Sequence, residues 1–311
     1  MASLDKLTIA KSAMAKSTMA RPAGRLFGPA AGLAMLAVVA AEVPAHAVTP
    51  AAANAAVAPA TPADAGKAAA APAAVPPSQR FACGGPVEFT HFNYPLRQAA
   101  RRLAAGAPLT IVAIGSSSTA GAGASSPAAS YPSRLAVELK ELLPGRDITV
   151  LNRGVNGEET RDMLARFASG VLAAHPDLVL WQVGTNSVLR DHPLTPHSVL
   201  LHEGIGELKA AGADVVLIDM QFAPRVIVKP ETQGMEDQIA VAAKEESVDL
   251  FRRFALMRHW HDVQHIPFDA FVSADDLHMN DWGYACVAKL LAVGIVDATT
   301  RPVAAASHSA R

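Results

Sequence analysis

The chain has 311 residues, 50% of them hydrophobic, 18% charged and 5% aromatic, with a formal net charge of −1. That length and apolar fraction are ample for a large domain with a real core. The near-neutral charge excludes the broad basic footprint of a general nucleic-acid binder, and two cysteines are too few for a disulfide scaffold or a cysteine-rich zinc domain.

Residues 1–25 carry Lys6, Lys11, Lys16, Arg21 and Arg25 against the single acid Asp5. An uncharged run from Leu26 to Ala41 follows, and Ala45-His46-Ala47 fits the small-x-small cleavage rule. This is the layout of a secretory signal peptide over 1–47, because the apolar run is short for a membrane span. An uncleaved N-terminal anchor is the alternative. Either reading expects export, to the periplasm or the medium. Cleavage would leave 22 Lys/Arg against 26 Asp/Glu, a net charge near −4 that offers an anionic polymer no general attraction.

From Val48 to Arg80, 21 of 33 residues are alanine or proline. The repeated prolines interrupt any helix and no large side chain is available to bury, so residues 48–80 read as a disordered tether. Residues 81–300 read as one domain and 301–311 as a tail.

Within that domain, short apolar runs alternate with amphipathic segments. The expected strands are Leu109–Ile114, Ile148–Leu151, Leu178–Val183, Val215–Met220 and Val248–Leu250, each continuously apolar, as strands buried on both faces are. Between them, Leu135, Leu139, Leu142 and Leu143 share one helical face, as do Met163, Leu164, Phe167 and Val171. Leu201, Ile205 and Leu208 mark a third helix, and Tyr284, Val287, Ala288 and Leu291 the last. Alternation of this kind predicts a parallel sheet covered by helices on both sides, with ligands bound at the carboxyl edge of the strands.

The residues that follow the expected strands are those with chemistry. The first runs into Gly115-Ser116-Ser117-Ser118-Thr119-Ala120-Gly121, a small-residue turn able to present a hydroxyl, or backbone N–H groups, to a ligand. No GxGxxG or GxxxxGK[ST] pattern supports a nucleotide site. The second runs into Asn152 through Thr160 with Gly154 and Gly157, where a glycine brings a backbone N–H close to substrate or simply permits a turn. The third ends in Gly184-Thr185-Asn186, an amide suited to an oxyanion or to capping a turn. Before the last helix stands Asp275-Asp276-Leu277-His278, a carboxylate three residues from an imidazole that it can orient.

Ser, Gly, Asn and Asp-x-x-His in this order resemble the four blocks of the SGNH hydrolases of the GDSL type, over roughly Leu109 to Val296. The resemblance implies a flavodoxin-like three-layer α/β/α sandwich with a five-stranded parallel sheet. It also implies Ser117 as nucleophile, His278 as base and Asp275 as its orienting partner. The oxyanion hole would be the backbone N–H groups of Ser117 and Gly157 with the Asn186 amide; neither metal nor organic cofactor is implied. Block one departs from the family, because Ser116 stands in the place of the usual Asp. With Ser116 and Ser118 flanking Ser117, register is open by one residue, and Gly154 competes with Gly157.

The activity expected is that of a serine hydrolase acting on short acyl esters, O-acetyl groups above all, of a carbohydrate or small molecule. The alternatives are a long-chain acyl ester, lysophospholipid or thioester hydrolase, and a non-catalytic glycan-binding module. No nucleic acid and no membrane partner beyond an N-terminal anchor is expected.

Three secondary features remain. His259, His261 and His265 have ligand-like spacing but no acidic or cysteine ligand to complete a zinc site, so a substrate-rim or surface loop is expected. Trp260 and His261 are candidates to line the acyl or sugar pocket; Gln221 and Pro224, after the fourth strand, are candidates to shape it, and ordinary turn chemistry explains them as well. Cys83 and Cys286, at opposite ends of the domain, either pair after export or stay as buried thiols.

Overall fold

A computed structural model describes residues 81–301. The expected leader, the tether and residues 302–311 lie outside the described residues.

The chain enters through α1 (Arg97–Ala104) and the strand β1 (Leu109–Gly115), then a one-turn helix α2 (Ser117–Ala120) and α3 (Tyr131–Leu142). There follow β2 (Ile148–Gly154), α4 (Thr160–Leu164), β3 (Leu178–Gln182), α5 (Thr185–Leu189) and α6 (Leu194–Ala210). The remainder is β4 (Asp214–Ile218), α7 (Pro224–Ile227), α8 (Thr232–Glu245), β5 (Asp249–Phe251), α9 (Arg253–Asp262), α10 (Phe268–Phe271) and α11 (Asp281–Thr300). All five strands are parallel, in the order β2-β1-β3-β4-β5. Helices α1, α3 and α11 pack together on one side, and α4, α6 and α8 on the other. The result is the three-layer α/β/α sandwich expected. The strand order reverses between β1 and β3, and at such a switch point a crevice opens outside the carboxyl ends of the strands.

The core is as apolar as the sequence pattern requires. Ile111 through Ile114 of β1 and Leu178 through Trp181 of β3 are fully buried. β2 departs from expectation. It is an edge strand paired only to β1, several of its side chains are exposed, and it extends to Gly154. On α3, Leu135 and Leu139 are buried, whereas Leu142 is 44% exposed at the last turn. The face of Met163, Phe167 and Val171 is buried as expected, but the helix is not continuous. It stops at Leu164, Arg166 leaves helical geometry, and a single π-helical turn over Phe167–Val171 carries the remainder.

Cys83 and Cys286 form a disulfide with Cα atoms 5.4 Å apart, tying the segment before α1 to α11 across 203 residues. Closing so long a loop restricts the unfolded chain by up to about 5 kcal/mol in the chain-entropy model. Reduction, or Cys83→Ser with Cys286→Ser, is therefore expected to lower Tm by about 10 °C in calorimetry. An unchanged Tm would mean that the bridge contributes nothing.

Candidate active site

Three strand ends and one late loop build the site. Gly115 ends β1, and Ser117 opens α2, so its N–H is one of the orphan donors of a helix start. Of the three adjacent serines, Ser116 and Ser118 are 2% and 1% exposed, while Ser117 is partly accessible. The flanking hydroxyls are occupied. Ser116 donates from N and Oγ to Gln182 Oε1 at 2.9 and 3.0 Å, and Ser118 Oγ accepts from Arg253 at 3.1 Å. Ser116 thus anchors the turn to β3, and of the three serines Ser117 is the one whose hydroxyl lies against the His278 imidazole.

Ser117 Oγ lies 2.7 Å from His278 Nε2, and His278 Nδ1 lies 2.5 Å from Asp275 Oδ2. The other carboxylate oxygen accepts from Ser273 Oγ at 2.7 Å, His278 N at 2.9 Å and Leu277 N at 3.0 Å. Burial opposes ionisation of Asp275, but the hydrogen bonds from His278, Ser273 and Leu277 together hold its carboxyl well below the usual carboxylate range. An ionised Asp275 accepts only, so Nδ1 is the donor and Nε2 is left to accept the Ser117 hydroxyl proton. The loop is held in place by an antiparallel bridge between Val272 and Met279 and by Arg225 N donating to Asp276 O at 3.0 Å.

The Gly157 loop is fixed from two sides. The Arg166 guanidinium grips the Glu158 carboxylate with contacts of 2.5 to 2.9 Å. Arg190 donates to Gly157 O at 2.8 Å and to Glu159 Oε1 at 2.5 Å. Burial pushes the Glu159 carboxyl up, but hydrogen bonds from His192, Arg190 and Ser187 bring it below its ordinary value. Asn186 Nδ2 donates to Glu158 O at 2.8 Å, which carries the amide to this same loop.

The two competing glycines separate by geometry. Gly154 N donates to Asn152 Oδ1 at 2.9 Å, and a Cβ on Gly154 would stand 2.1 Å from Ala120 N. Gly154 therefore serves the close approach of β2 to α2. Gly157 has φ +80°, its carbonyl is turned to Arg190, and its N–H has no partner among the described residues.

Beneath the site, Arg253 is 0% exposed, a residue that strand and helix patterns did not single out. Its guanidinium donates to Ser118 Oγ, to Asp219 O at 2.6 Å and to Gln221 Oε1 at 3.0 Å. Burial raises the Asp219 carboxyl to about 6, against hydrogen bonds from Glu236 and Phe254 N and the nearby guanidinium.

Two pocket expectations are corrected. Trp260 is fully buried, edge-on to Phe271 and Trp282, and its indole N–H donates to Gly84 O at 2.8 Å, so it is a core residue. Gln221 is 1% exposed and accepts from Thr185 and Arg253, which makes it a link between β4, α5 and α9. Pro224 opens the short helix α7. His259, Trp260 and His261 lie on α9 and not on a loop; His259 faces Phe89. His261 stacks on Phe268 at 4.0 Å, and Phe268 lines a cavity of about 380 Å³ with Ser273 and Asp276.

A sandwich of this topology with a hydroxyl, imidazole and carboxylate in line at its switch point is the architecture of the SGNH hydrolase superfamily. The chain belongs to the non-GDSL lipase-like family, whose model matches residues 82–301. An arylesterase of Vibrio mimicus is 36% identical over 95 residues, 30% of this chain and 46% of its own length. An acetylxylan esterase of Geobacillus stearothermophilus is 34% identical over 79 residues, 25% of this chain and 36% of its own. The chain thus spans less than half the length of these curated relatives. A two-domain esterase active on acetylated mannans superposes with a TM-score of 0.58 at 20% identity, over 70% of this chain and 58% of that one. TesA superposes with a TM-score of 0.52 at 20% identity, over 61% and 99%. At these identities the solved structures establish the fold.

Proposed function

We propose that the chain is an exported serine esterase that removes short acyl groups, acetyl above all, from the hydroxyls of a carbohydrate. The observation that carries the reading is the line from Ser117 Oγ through His278 to Asp275, at 2.7 and 2.5 Å. Ser117 attacks the ester carbonyl carbon while His278 Nε2 takes its proton. The oxyanion that forms receives hydrogen bonds from Ser117 N–H, Gly157 N–H and the Asn186 amide. Collapse expels the alcohol, which takes the proton from His278; water then cleaves the acyl-Ser117 ester by the same route, restoring the enzyme.

The arylesterase and acetylxylan esterase relatives support an ester-hydrolysing enzyme, and together with the fold shared with a mannan esterase they favour acetylated glycans as substrates. Export is supported by the basic, apolar and small-x-small layout of residues 1–47 and by the disulfide, which persists in oxidising compartments.

The test is hydrolysis of p-nitrophenyl acetate against octanoate by the purified protein. Faster turnover of acetate supports the deacetylase reading. A preference for octanoate would move the substrate to lipid esters, and inertness on both would point to glycan binding without catalysis. Asn186→Ala is expected to lower kcat by about 10²–10³ with a smaller change in KM, the loss typical of one oxyanion donor. Equal kcat in the two proteins would remove Asn186 from the oxyanion hole.

A further inference from the structure

Arg253 is fully buried, and its three hydrogen-bond partners, Ser118 Oγ, Asp219 O and Gln221 Oε1, are all neutral. A buried cation calls for a counter-charge close by. The acidic groups that face it come from four parts of the fold: Tyr131 on α3, Tyr284 on α11, Asp219 just after β4 and Glu236 on α8. Burial pushes both tyrosine hydroxyls up, Tyr131 to about 12, so neither is ionised near neutrality. Arg252, the other cation that acts on Asp219, is exposed and lies over the Phe89 ring. The charge that balances Arg253 is therefore left to Asp219 and Glu236.

Those two carboxyls are built against each other. Asp219 is 2% exposed, and its Oδ1 accepts from Phe254 N at 2.8 Å. Glu236 Oε1 accepts from Met220 N at 3.2 Å, which sets its carboxyl beside the Asp219 peptide, and the two carboxyls hydrogen-bond to each other. Such a bond requires a proton on one of them, because two ionised carboxylates offer only acceptors. Burial, reinforced by the Asp219 carboxylate, holds the Glu236 carboxyl well above its ordinary value, against the pull of Met220 N and Arg253. The pair thus carries one proton and one negative charge, which is the charge that a single guanidinium needs.

We infer that Asp219 and Glu236 share one proton as a positioning pair, whose single charge holds Arg253, and through Ser118 the α2 turn, in place for catalysis. The shared proton stands on the contacts of the pair, whereas its bearing on turnover rests on the proposed serine mechanism. The proton also sets a direction with pH. The unfolded chain releases it at the ordinary carboxylate value of about 4 and the folded pair keeps it, so stability falls as pH rises until the folded pair lets it go.

Denaturant titration of the full chain at pH 6 and pH 7 tests the shared proton. Glu236→Gln keeps the hydrogen bonds but has no proton to release. Relative to it, the folding equilibrium constant of the wild type is expected to fall about tenfold between the two conditions, one proton over one pH unit. Asp214, Asp249 and His197 add slopes of their own, common to both proteins. Hydrolysis of p-nitrophenyl acetate at pH 7 tests the positioning. Asp219→Asn or Glu236→Gln alone leaves one carboxyl to ionise, and each is expected to lower kcat by less than about threefold. The double variant strands Arg253 without a counter-charge, and a loss of about 10²-fold in kcat with little change in KM is expected. Should the double variant not fold, adding Arg253→Met, which removes the stranded charge, is expected to restore folding. Equal pH slopes in wild type and Glu236→Gln would overturn the shared proton. Losses that simply multiply, or no rescue by Arg253→Met, would overturn the positioning role. The slope difference without esterase activity in the wild type would sink the serine mechanism and leave the pair; an active wild type without that difference loses only the pair.

Discussion

Asp275→Asn is expected to lower kcat by about 10⁴ while KM changes little, because the substitution would reverse the imidazole. Asp275 accepts from His278 Nδ1 at 2.5 Å, and that contact leaves Nε2 free to accept from Ser117. An asparagine amide can turn its N–H toward Nδ1 and accept nothing from it, so the proton moves to Nε2 and faces the hydroxyl it should receive. The fold is expected to survive, since Asn keeps an oxygen for the bonds from Ser273 Oγ and from the N–H groups of Leu277 and His278. Steady-state hydrolysis of p-nitrophenyl acetate, with circular dichroism as the control, checks it. A kcat within tenfold of wild type would show that Asp275 does not set the tautomer. Asp275 is also held below the ordinary carboxylate range, so it stays ionised under mild acid, and activity lost there arises elsewhere.

The second large effect is on stability and turnover together. Arg253→Met removes a buried guanidinium that joins Ser118, the end of β4 at Asp219 O, and Gln221. Removing one member of a buried charged network typically costs about 3–5 kcal/mol. Here it leaves the Asp219 carbonyl and the Ser118 hydroxyl without their donor. Because Ser118 is the next residue to the proposed nucleophile, even a small displacement of α2 is expected to cost about 10²-fold in kcat. Arg253→Lys keeps the charge but not the fork that reaches three partners, so it is expected to recover stability more fully than turnover. Denaturant titration and kinetics on both variants check this. A methionine variant as stable and active as wild type would show that the network is dispensable.

How much of this was legible beforehand depends on the range of the contacts involved. The five strands, and the chemistry-bearing residues placed just after them, follow from apolar runs, which are local signals; the strand order does not, and the roles of Ser117, His278 and Asp275 come from the resemblance of four blocks to the SGNH hydrolases. Two limits arise from packing. Three consecutive serines look alike in a sequence, and only the burial of Ser116 against Gln182 and of Ser118 against Arg253 leaves Ser117 facing the imidazole. An apolar run does not reveal whether a strand has one neighbour or two, so β2 read as buried on both faces although it lies at the edge with several side chains exposed. Trp260 was misplaced for a related reason. A tryptophan between two histidines resembles a rim, but its partners, Gly84, Phe271 and Trp282, are distant in sequence or on other elements. Arg190 and Glu159, which set the Gly157 loop, are 31 residues apart, and no spacing rule links them.

The proposed mechanism requires Ser117 to form a covalent acyl-enzyme. The most direct test is to treat the full chain with a fluorophosphonate, digest it, and locate the adduct by fragmentation within the peptide holding Ser116, Ser117 and Ser118. A single adduct on Ser117 is expected, with matching loss of esterase activity and no labelling of Ser117→Ala. An adduct on a neighbouring serine, or full activity in Ser117→Ala, would contradict it.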